Sequence, residues 1–283
     1  MPGIPTTPMA RALGTLRGMT KHTHATAIGI DIGGTGIKGA TVDLEEGVFQ
    51  SDRIKIATPA GGKPDDIVAV VADIVSQLPS SDDESIALGV AFPAIVKRGR
   101  TLSAANVSDE WIGLKAEKKF EKALGRDITF VNDADAAGFA EARFGAAADV
   151  DGLTLVTTLG TGIGTALLYD GVLVPNAELG HLEIDGRDIE TVASYGAKER
   201  DDLSWEEWAA LLTTFYKRLE RLIAPDLFIV GGGVSKHHEE FLPLIEIDTP
   251  IIPAKHRNKA GILGAAAMAD RGHAVPDKST HGA

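Results

Sequence analysis

Ala27-Ile28-Gly29-Ile30-Asp31-Ile32-Gly33-Gly34-Thr35-Gly36-Ile37-Lys38-Gly39-Ala40 is the stretch whose reading decides the fold. Ala27 to Asp31 has the apolar character of a buried strand, Gly33 to Gly36 is a glycine-rich turn, and Ile37 to Val42 reads as a second strand. The same plan returns later: Gly152 to Leu159 is strand-like, Gly160-Thr161-Gly162-Ile163-Gly164 is a turn, and Thr165 to Tyr169 is a return strand. Setting Ile30 to Ile37 against Thr157 to Gly164 without a gap matches the two segments, so the chain reads as a duplicated α/β module.

A third glycine turn, Gly231-Gly232-Gly233-Val234-Ser235, follows the buried strand Asp226 to Val230. Each turn alone is either a tight hairpin or a nest of backbone N–H groups for phosphate. Three of them in a two-module chain suggest one nucleotide or polyphosphate held from both sides. None is a Walker A loop, and none is a Gly-x-Gly-x-x-Gly opening a helix, which removes the P-loop and Rossmann dinucleotide readings.

Between the turns, Ser51 to Thr58 reads as a third strand, and Pro64 to Leu78 carries Ile67, Val70, Val71, Ile74 and Leu78 at helical spacing. Ser85 to Phe92 is a further strand, ended by Pro93. Ala94 to Gly113 is loop-like, with Asn106 and Trp111 flagged for ligand contact, and Leu114 to Leu124 is a helix. Asp127 to Val131 is a strand that meets the helix Ala134 to Phe144 at Asn132-Asp133. There Asp133 either caps the helix or points into a crevice at the strand ends. Trp205 to Ile223 is a long helix whose Trp208, Leu211, Leu212, Phe215, Leu219 and Leu222 form a core stripe, and Gly261 to Asp270 is an alanine-rich last helix.

Composition narrows the function classes. A net charge of −12 disfavours broad adhesion to nucleic acid or to an anionic membrane. With no cysteine, disulfides, thiolate catalysis and cysteine-ligated zinc are excluded. No run approaches the roughly 18 apolar residues of a membrane helix, and Met1 to Thr26 lacks the apolar segment of a secretory signal. A cytoplasmic protein is expected, with Met19 as an alternative start. The expected division is a disordered tail (1–25), a smaller N-terminal α/β domain (26–130), a larger C-terminal one (131–271) whose last helix is free to pack back on the first, and a C-terminal tail (272–283).

Asp31-Ile-Gly-Gly-Thr35, Leu159-Gly-Thr-Gly-Ile-Gly164, Glu178-Leu-Gly-His181 and Ile229-Val-Gly-Gly-Gly233, in this order around Asn132-Asp133, resemble the ROK family of sugar kinases and repressors. Within it, Asp31 to Ala40, Phe92-Pro93-Ala94, Ala104 to Val107, Ser194 to Leu203 and Pro225 to Ser235 are most similar to the polyphosphate glucokinases. The resemblance implies an actin- and hexokinase-like (ribonuclease H-like) duplicated fold, with two domains flanking a cleft. It implies glucose phosphorylation at the 6-hydroxyl from polyphosphate, with ATP as a second donor, mannose as a further substrate, and a homodimer. The alternatives are a strictly ATP-dependent glucokinase or mannokinase, or a non-enzymatic sugar-responsive regulator.

By the same resemblance Asp133 is the catalytic base, and Asn106, Asn132, Asp133, Glu178, His181 and Glu190 bind the sugar. Glu183 competes with Glu190 for its role. Asp31, Gly33, Gly34, Thr35, Lys38, Gly160, Thr161, Gly162, Gly231, Gly232 and Gly233 are expected at the phosphates and nucleotide, with Asp31 holding Mg²⁺ through water. Two departures stand out. The segment Gly186 to Thr191 lacks the family's cysteines, so no zinc is expected, His181 is not a zinc ligand, and protein contacts must hold its loop. Gly36 follows Gly-Gly-Thr where the family has lysine, with Lys38 two positions on, which leaves the role of Lys38 open. Lys97-Arg98-Arg100, Lys198 with Arg200, and Lys255-His256-Arg257 with Lys259 are the candidate paths for a polyphosphate chain.

Overall fold

The computed structural model describes residues 26–270. The tails expected at 1–25 and 272–283, and the alternative start at Met19, lie outside the described residues. In the first half, β1 (Thr26–Ile32), β2 (Ile37–Asp43), β3 (Val48–Phe49) and β4 (Ile54–Ile56) precede α1 (Pro64–Gln77) and β5 (Ala87–Phe92). The small hairpin β6 (Val96–Lys97) and β7 (Arg100–Thr101) leads to α2 (Ala116–Leu124), β8 (Thr129–Asn132) and α3 (Asp133–Phe144). The second half contains β9 (Leu153–Leu159), β10 (Ile163–Tyr169), β11 (Val172–Val174), β12 (Glu183–Ile184), β13 (Arg187–Asp188), α4 (Glu190–Ala193) and α5 (Tyr195–Arg200). It continues with α6 (Trp205–Ile223), β14 (Leu227–Gly231), α7 (His238–Phe241), β15 (Ile251–Pro253) and α8 (Ala260–Ala269).

The main path of one sheet runs β3-β2-β1-β5-β8, with β4 also paired to β2, and that of the other runs β11-β10-β9-β14-β15. Each begins as an antiparallel meander and continues as parallel strands. The crossover helices α1 and α6 therefore hold equivalent places. One correction to the ungapped alignment follows from the turns. Ile32 pairs with Ile37 across four turn residues, whereas Leu159 pairs with Ile163 across three. The equivalent of Lys38 is thus Gly164, and the glycine pattern hides a one-residue difference in loop length.

Helix α3 follows the first sheet but packs on β9 and β10, while α8 follows the second and packs on β1 and β5. The exchange depends on residues without bulk. A side chain at Gly264 would overlap the Ala136 carbonyl, and side chains at Gly29 and Gly89 would overlap the carbonyls of Ile262 and Ala265. Alanine and glycine bring these backbones into contact, which fixes the two sheets against each other through the helix pair.

The remaining core is conventional. Trp208, Phe215 and Leu219 of α6 are fully buried, each such burial contributing about 2 kcal/mol, while Leu222, expected in the same stripe, is exposed. Trp111 corrects another expectation. It is fully buried, donates from Nε1 to the Gly62 carbonyl at 2.9 Å and packs on Phe92 and Phe120, so it supports the loop and does not reach a ligand. The expected strand 51–58 shortens to β4 because its register with β2 covers only Ile37 to Gly39.

Candidate active site

The cleft lies at the ends of β1, β8 and β9. It encloses ≈ 410 Å³ and is lined by Gly33, Gly34, Asn106, Asn132, Asp133, Thr158, Gly160, Thr161, Gly162, Glu178, His181, Glu190 and Gly232. That volume accommodates a monosaccharide with a phosphoryl group. Asp31, Thr35, Lys38, Gly231 and Gly233 do not line it.

The two β-hairpin turns are closed by their own backbones, Gly33 N–H donating to Gly36 O at 3.1 Å and Gly160 N–H to Gly162 O at 3.0 Å. Gly232, at φ +83°, would overlap the Leu159 backbone if it carried a side chain, so the third turn is pressed onto the second. Gly34 is likewise packed on Asn106, whose own φ is +60°.

Asn132 resolves the question of the cap. Its Oδ1 accepts from Asp135 N–H at 2.8 Å, and its Nδ2 donates to Ala94 O at 3.0 Å. Asn132 is therefore the N-cap, and Asp133 is the first residue of α3, with its Oδ1 accepting from Ala134 N–H at 2.9 Å. Burial pushes the Asp133 carboxyl up to about 7, with the charges of Asp31 and Glu178 adding to the rise against the local backbone hydrogen bonds. A carboxylate at that value is matched to proton transfer near neutral pH. Asp31 forms an ion pair with Lys38, Nζ to Oδ2 3.0 Å, directly across β1 and β2.

The Glu178 to His181 segment is held by backbone fit. Gly180 sits on the Ile163 carbonyl with no room for a side chain, and Thr165 Oγ1 accepts from Leu179 N–H at 2.9 Å while donating to Ala177 O. His181 Nδ1 meets Asp188 Oδ2 at 2.9 Å, leaving Nε2 for a ligand. The Asp188 hydrogen bond, with the charges of Glu190, Asp188 and Glu178, raises the His181 pKa against desolvation. Burial raises Glu178, opposed by His181. Glu190 Oε2 accepts from Ile163 N–H at 2.7 Å beneath the second turn, whereas Glu183 is exposed and outside the cleft. The β12–β13 hairpin and the Asp188 contact are the protein contacts that hold this loop.

Sequence reasoning missed a polar link. Asp135 Oδ2 accepts from Asn176 N–H at 2.8 Å, and Asn176 in turn binds both Val96 N–H (2.8 Å) and Val96 O (3.0 Å). It ties α3, the β6–β7 hairpin and the Glu178 segment together. Burial raises Asp135 to about 6. Asp135 and Asp188 gave no signal because each reads as an ordinary helix-end or loop acid; only Asn176, 41 residues from Asp135, and the short hairpin that turns Asp188 back to His181 give them roles.

A divalent metal fits the donor set in one form. Among the described residues there is no group of three or more His, Cys, Asp or Glu able to hold an ion. Asp31, near the end of β1 just before the first turn, is a single carboxylate, the arrangement suited to Mg²⁺ that keeps water and shares donor phosphates.

A model of the ROK family matches residues 27–196. Polyphosphate glucokinase of Mycobacterium tuberculosis (strain CDC 1551 / Oshkosh) is 42% identical over 259 residues, covering 90% of this chain and 96% of that one. The crystal structure of inorganic polyphosphate/ATP-glucomannokinase from Arthrobacter sp. strain KM is similar at a TM-score of 0.85 and 50% identity, over 88% of this chain and 100% of the other. A ROK family glucokinase from Streptomyces griseus, solved with glucose and AMPPNP, is similar at a TM-score of 0.73 and 26% identity, over 86% and 99%.

Proposed function

This chain belongs to the ROK family, and from that membership we propose its activity: transfer of a phosphoryl group from inorganic polyphosphate to the 6-hydroxyl of glucose, in an actin- and hexokinase-like fold. The observation that carries the reading is Asp133, a carboxylate tuned to about 7 and set between two glycine turns in a sugar-sized cleft.

Asp133 accepts the proton of the sugar 6-hydroxyl as that oxygen bonds to the terminal phosphorus. The bond from that phosphorus to the bridging oxygen breaks, and the shortened phosphate chain leaves with the electron pair. Backbone N–H groups of Gly34 and Thr35 in the first turn, and of Thr161 and Gly162 in the second, donate to the phosphate oxygens. Asn106, Asn132, Glu178, His181 and Glu190 orient the sugar hydroxyls, with Asp188 setting the imidazole and Asn132 also fixing the start of α3. Asp31 would hold Mg²⁺, which supplies neutralisation of phosphate charge when bound. Closure of the two halves over the sugar excludes water.

ATP is the second donor. A pocket beside the second turn, lined by Gly160, Thr161, Tyr195, Gly196, Glu199, Gly233, Val234 and Lys236, supports this reading as the proposed site of the nucleoside. Mannose use, a homodimer and a cytoplasmic location complete the proposal. Among the described residues no helix is long and apolar enough to cross a membrane.

A donor-swap assay tests the activity. Glucose 6-phosphate is expected from nucleotide-free polyphosphate and, separately, from ATP. Product from ATP alone would replace the reading with an ATP-dependent glucokinase.

A further inference from the structure

Polyphosphate carries negative charge on every unit, and the chain that must hold it has a net charge of −12. Units beyond the one being transferred therefore require cations placed locally, close to the phosphate-binding turns. The clusters visible in the sequence largely have other employment. Lys198 Nζ donates to Leu203 O at 2.6 Å and lies over the Trp205 ring, and Arg200 pairs with Asp201. Lys255 Nζ and His256 Nε2 both meet Phe144 O at 2.9 Å, Lys259 lies over Phe49, and Arg100 donates to Gly113 O at 2.9 Å. None of these residues lines the cleft.

Lys55 is placed differently. On β4 it stands in register with Lys38 of β2, which stands in register with Asp31 of β1. The side chain crosses the first glycine turn: its Cε lies 2.8 Å, and its Cγ 3.8 Å, from where a Cβ on Gly36 would be. It is exposed and has no hydrogen bond or ion pair among the described residues. Lys38, by contrast, is neutralised by Asp31. The face that carries these residues is the one facing α8, where Gly261 abuts the Asp31 carboxylate. An uncompensated ammonium is thus held against the rim of a turn whose backbone is suited to phosphate.

We propose that Lys55, beside Lys38, is a binding site for the distal phosphates of polyphosphate, the chain leaving the cleft over the Gly33 to Gly36 turn and crossing β2 toward β4. The inference rests on the polyphosphate reading above. It separates the two donors, because the nucleoside of ATP is directed to the pocket around Tyr195 and Lys236, on the side of the second turn. Gly36 acquires a reason as well: a side chain there would displace Lys55.

Lys55→Met tests the charge while keeping the aliphatic cover on Gly36, and Lys55→Arg restores the charge. With Lys55→Met, KM for long-chain polyphosphate should rise roughly five- to tenfold, the effect of one charge-assisted contact. The rise should shrink as the donor is shortened to tripolyphosphate, and KM for ATP and for glucose should hold. The dependence of KM on salt should weaken by about one ion, as for other polyanions. Lys55→Arg should behave as wild type. An unchanged KM for long chains in Lys55→Met, or equal shifts for polyphosphate and ATP, overturns the site while leaving the activity in place. A wild-type protein that makes no product from polyphosphate overturns the proposed activity itself, and the site with it.

Discussion

The turns after β1 and after β9 occupy the same place in two sheets of the same strand order, yet their surroundings differ in charge. In the first half the cross-strand pair beside the turn is Asp31 with Lys38, with Gly261 of α8 against the carboxylate. In the second half the equivalent pair is Thr158 with Gly164, with Ala134 of α3 against it. The helix start that abuts the charged pair carries glycine, while the one that abuts the neutral pair carries Asp133 just before Ala134. Duplication thus supplied two glycine turns and two helix N-termini, and divergence put Asp31, the proposed metal ligand, on one side and Asp133, the proposed base, on the other. Two ionised carboxylates at one turn would repel each other. Distributing them across the two halves lets Asp31 tune Asp133 from a distance.

Removing the proposed base should have the largest effect. Asp133→Asn keeps volume and the start of α3 but cannot take a proton, so kcat should fall by roughly 10² or more. Steady-state rates on a variant with unchanged circular dichroism give the check, and near-normal turnover would remove Asp133 from its role. The pH dependence has a definite sign. In wild type kcat/KM should rise with pH through about 7 as Asp133 ionises. Stability should move the other way. The folded pKa is raised, so the unfolded chain releases its proton first, near the ordinary carboxylate value, and stability falls from there up to about 7. The Asn variant should lack that fall in a pH series of melting temperatures.

The helix exchange that sets the two halves together should be next in magnitude. Gly264→Ala forces a methyl onto the Ala136 carbonyl, backbone against backbone, and should lower stability by about 2 kcal/mol. Gly160→Ala meets nothing within 4 Å and should leave the melting temperature where it is. Differential scanning calorimetry of the two variants tests whether glycine serves packing at one site and ligand approach at the other. Equal melting temperatures would remove that distinction.

How far the sequence could be read follows the range of each interaction. The hairpins, α1 and α6 were legible because their apolar spacing is local and long. The Gly/Thr turns announced themselves by composition but concealed their different lengths, since backbone closure and not residue type sets the Gly33 to Gly36 and Gly160 to Gly162 bonds. Which of Asn132 and Asp133 caps α3 depends on a partner at Ala94, 38 residues away. Trp111 looked available to a ligand because the loop around it is polar, while its burial comes from Phe92 and Phe120. The exchange of α3 and α8 was illegible because alanine and glycine permit close approach without naming what approaches. Lys55 stands apart from the basic clusters of the sequence, and only the register of β4 with β2 brings it to the turn.

The smallest expected effect bears most directly on the comparison of the two turns. If the charge of Asp31 reaches Asp133 across the cleft, the Asp133 titration midpoint should respond to both members of the first pair with opposite signs. Asp31→Asn removes a negative charge and should lower the midpoint from about 7. Lys38→Met removes the cation that offsets Asp31 and should raise it. Charges several Å apart at a partly hydrated cleft interact by about 1 kcal/mol or less, so each shift should stay below about one pH unit. Thr158→Val in the neutral pair changes no charge and should leave the midpoint in place. The measurement is carbon-detected NMR titration of the Asp133 carboxyl without metal or donor, which separates tuning from metal binding. No shift in either Asp31→Asn or Lys38→Met would mean that burial alone sets the Asp133 pKa, and that the charged half of the duplication does not act on Asp133.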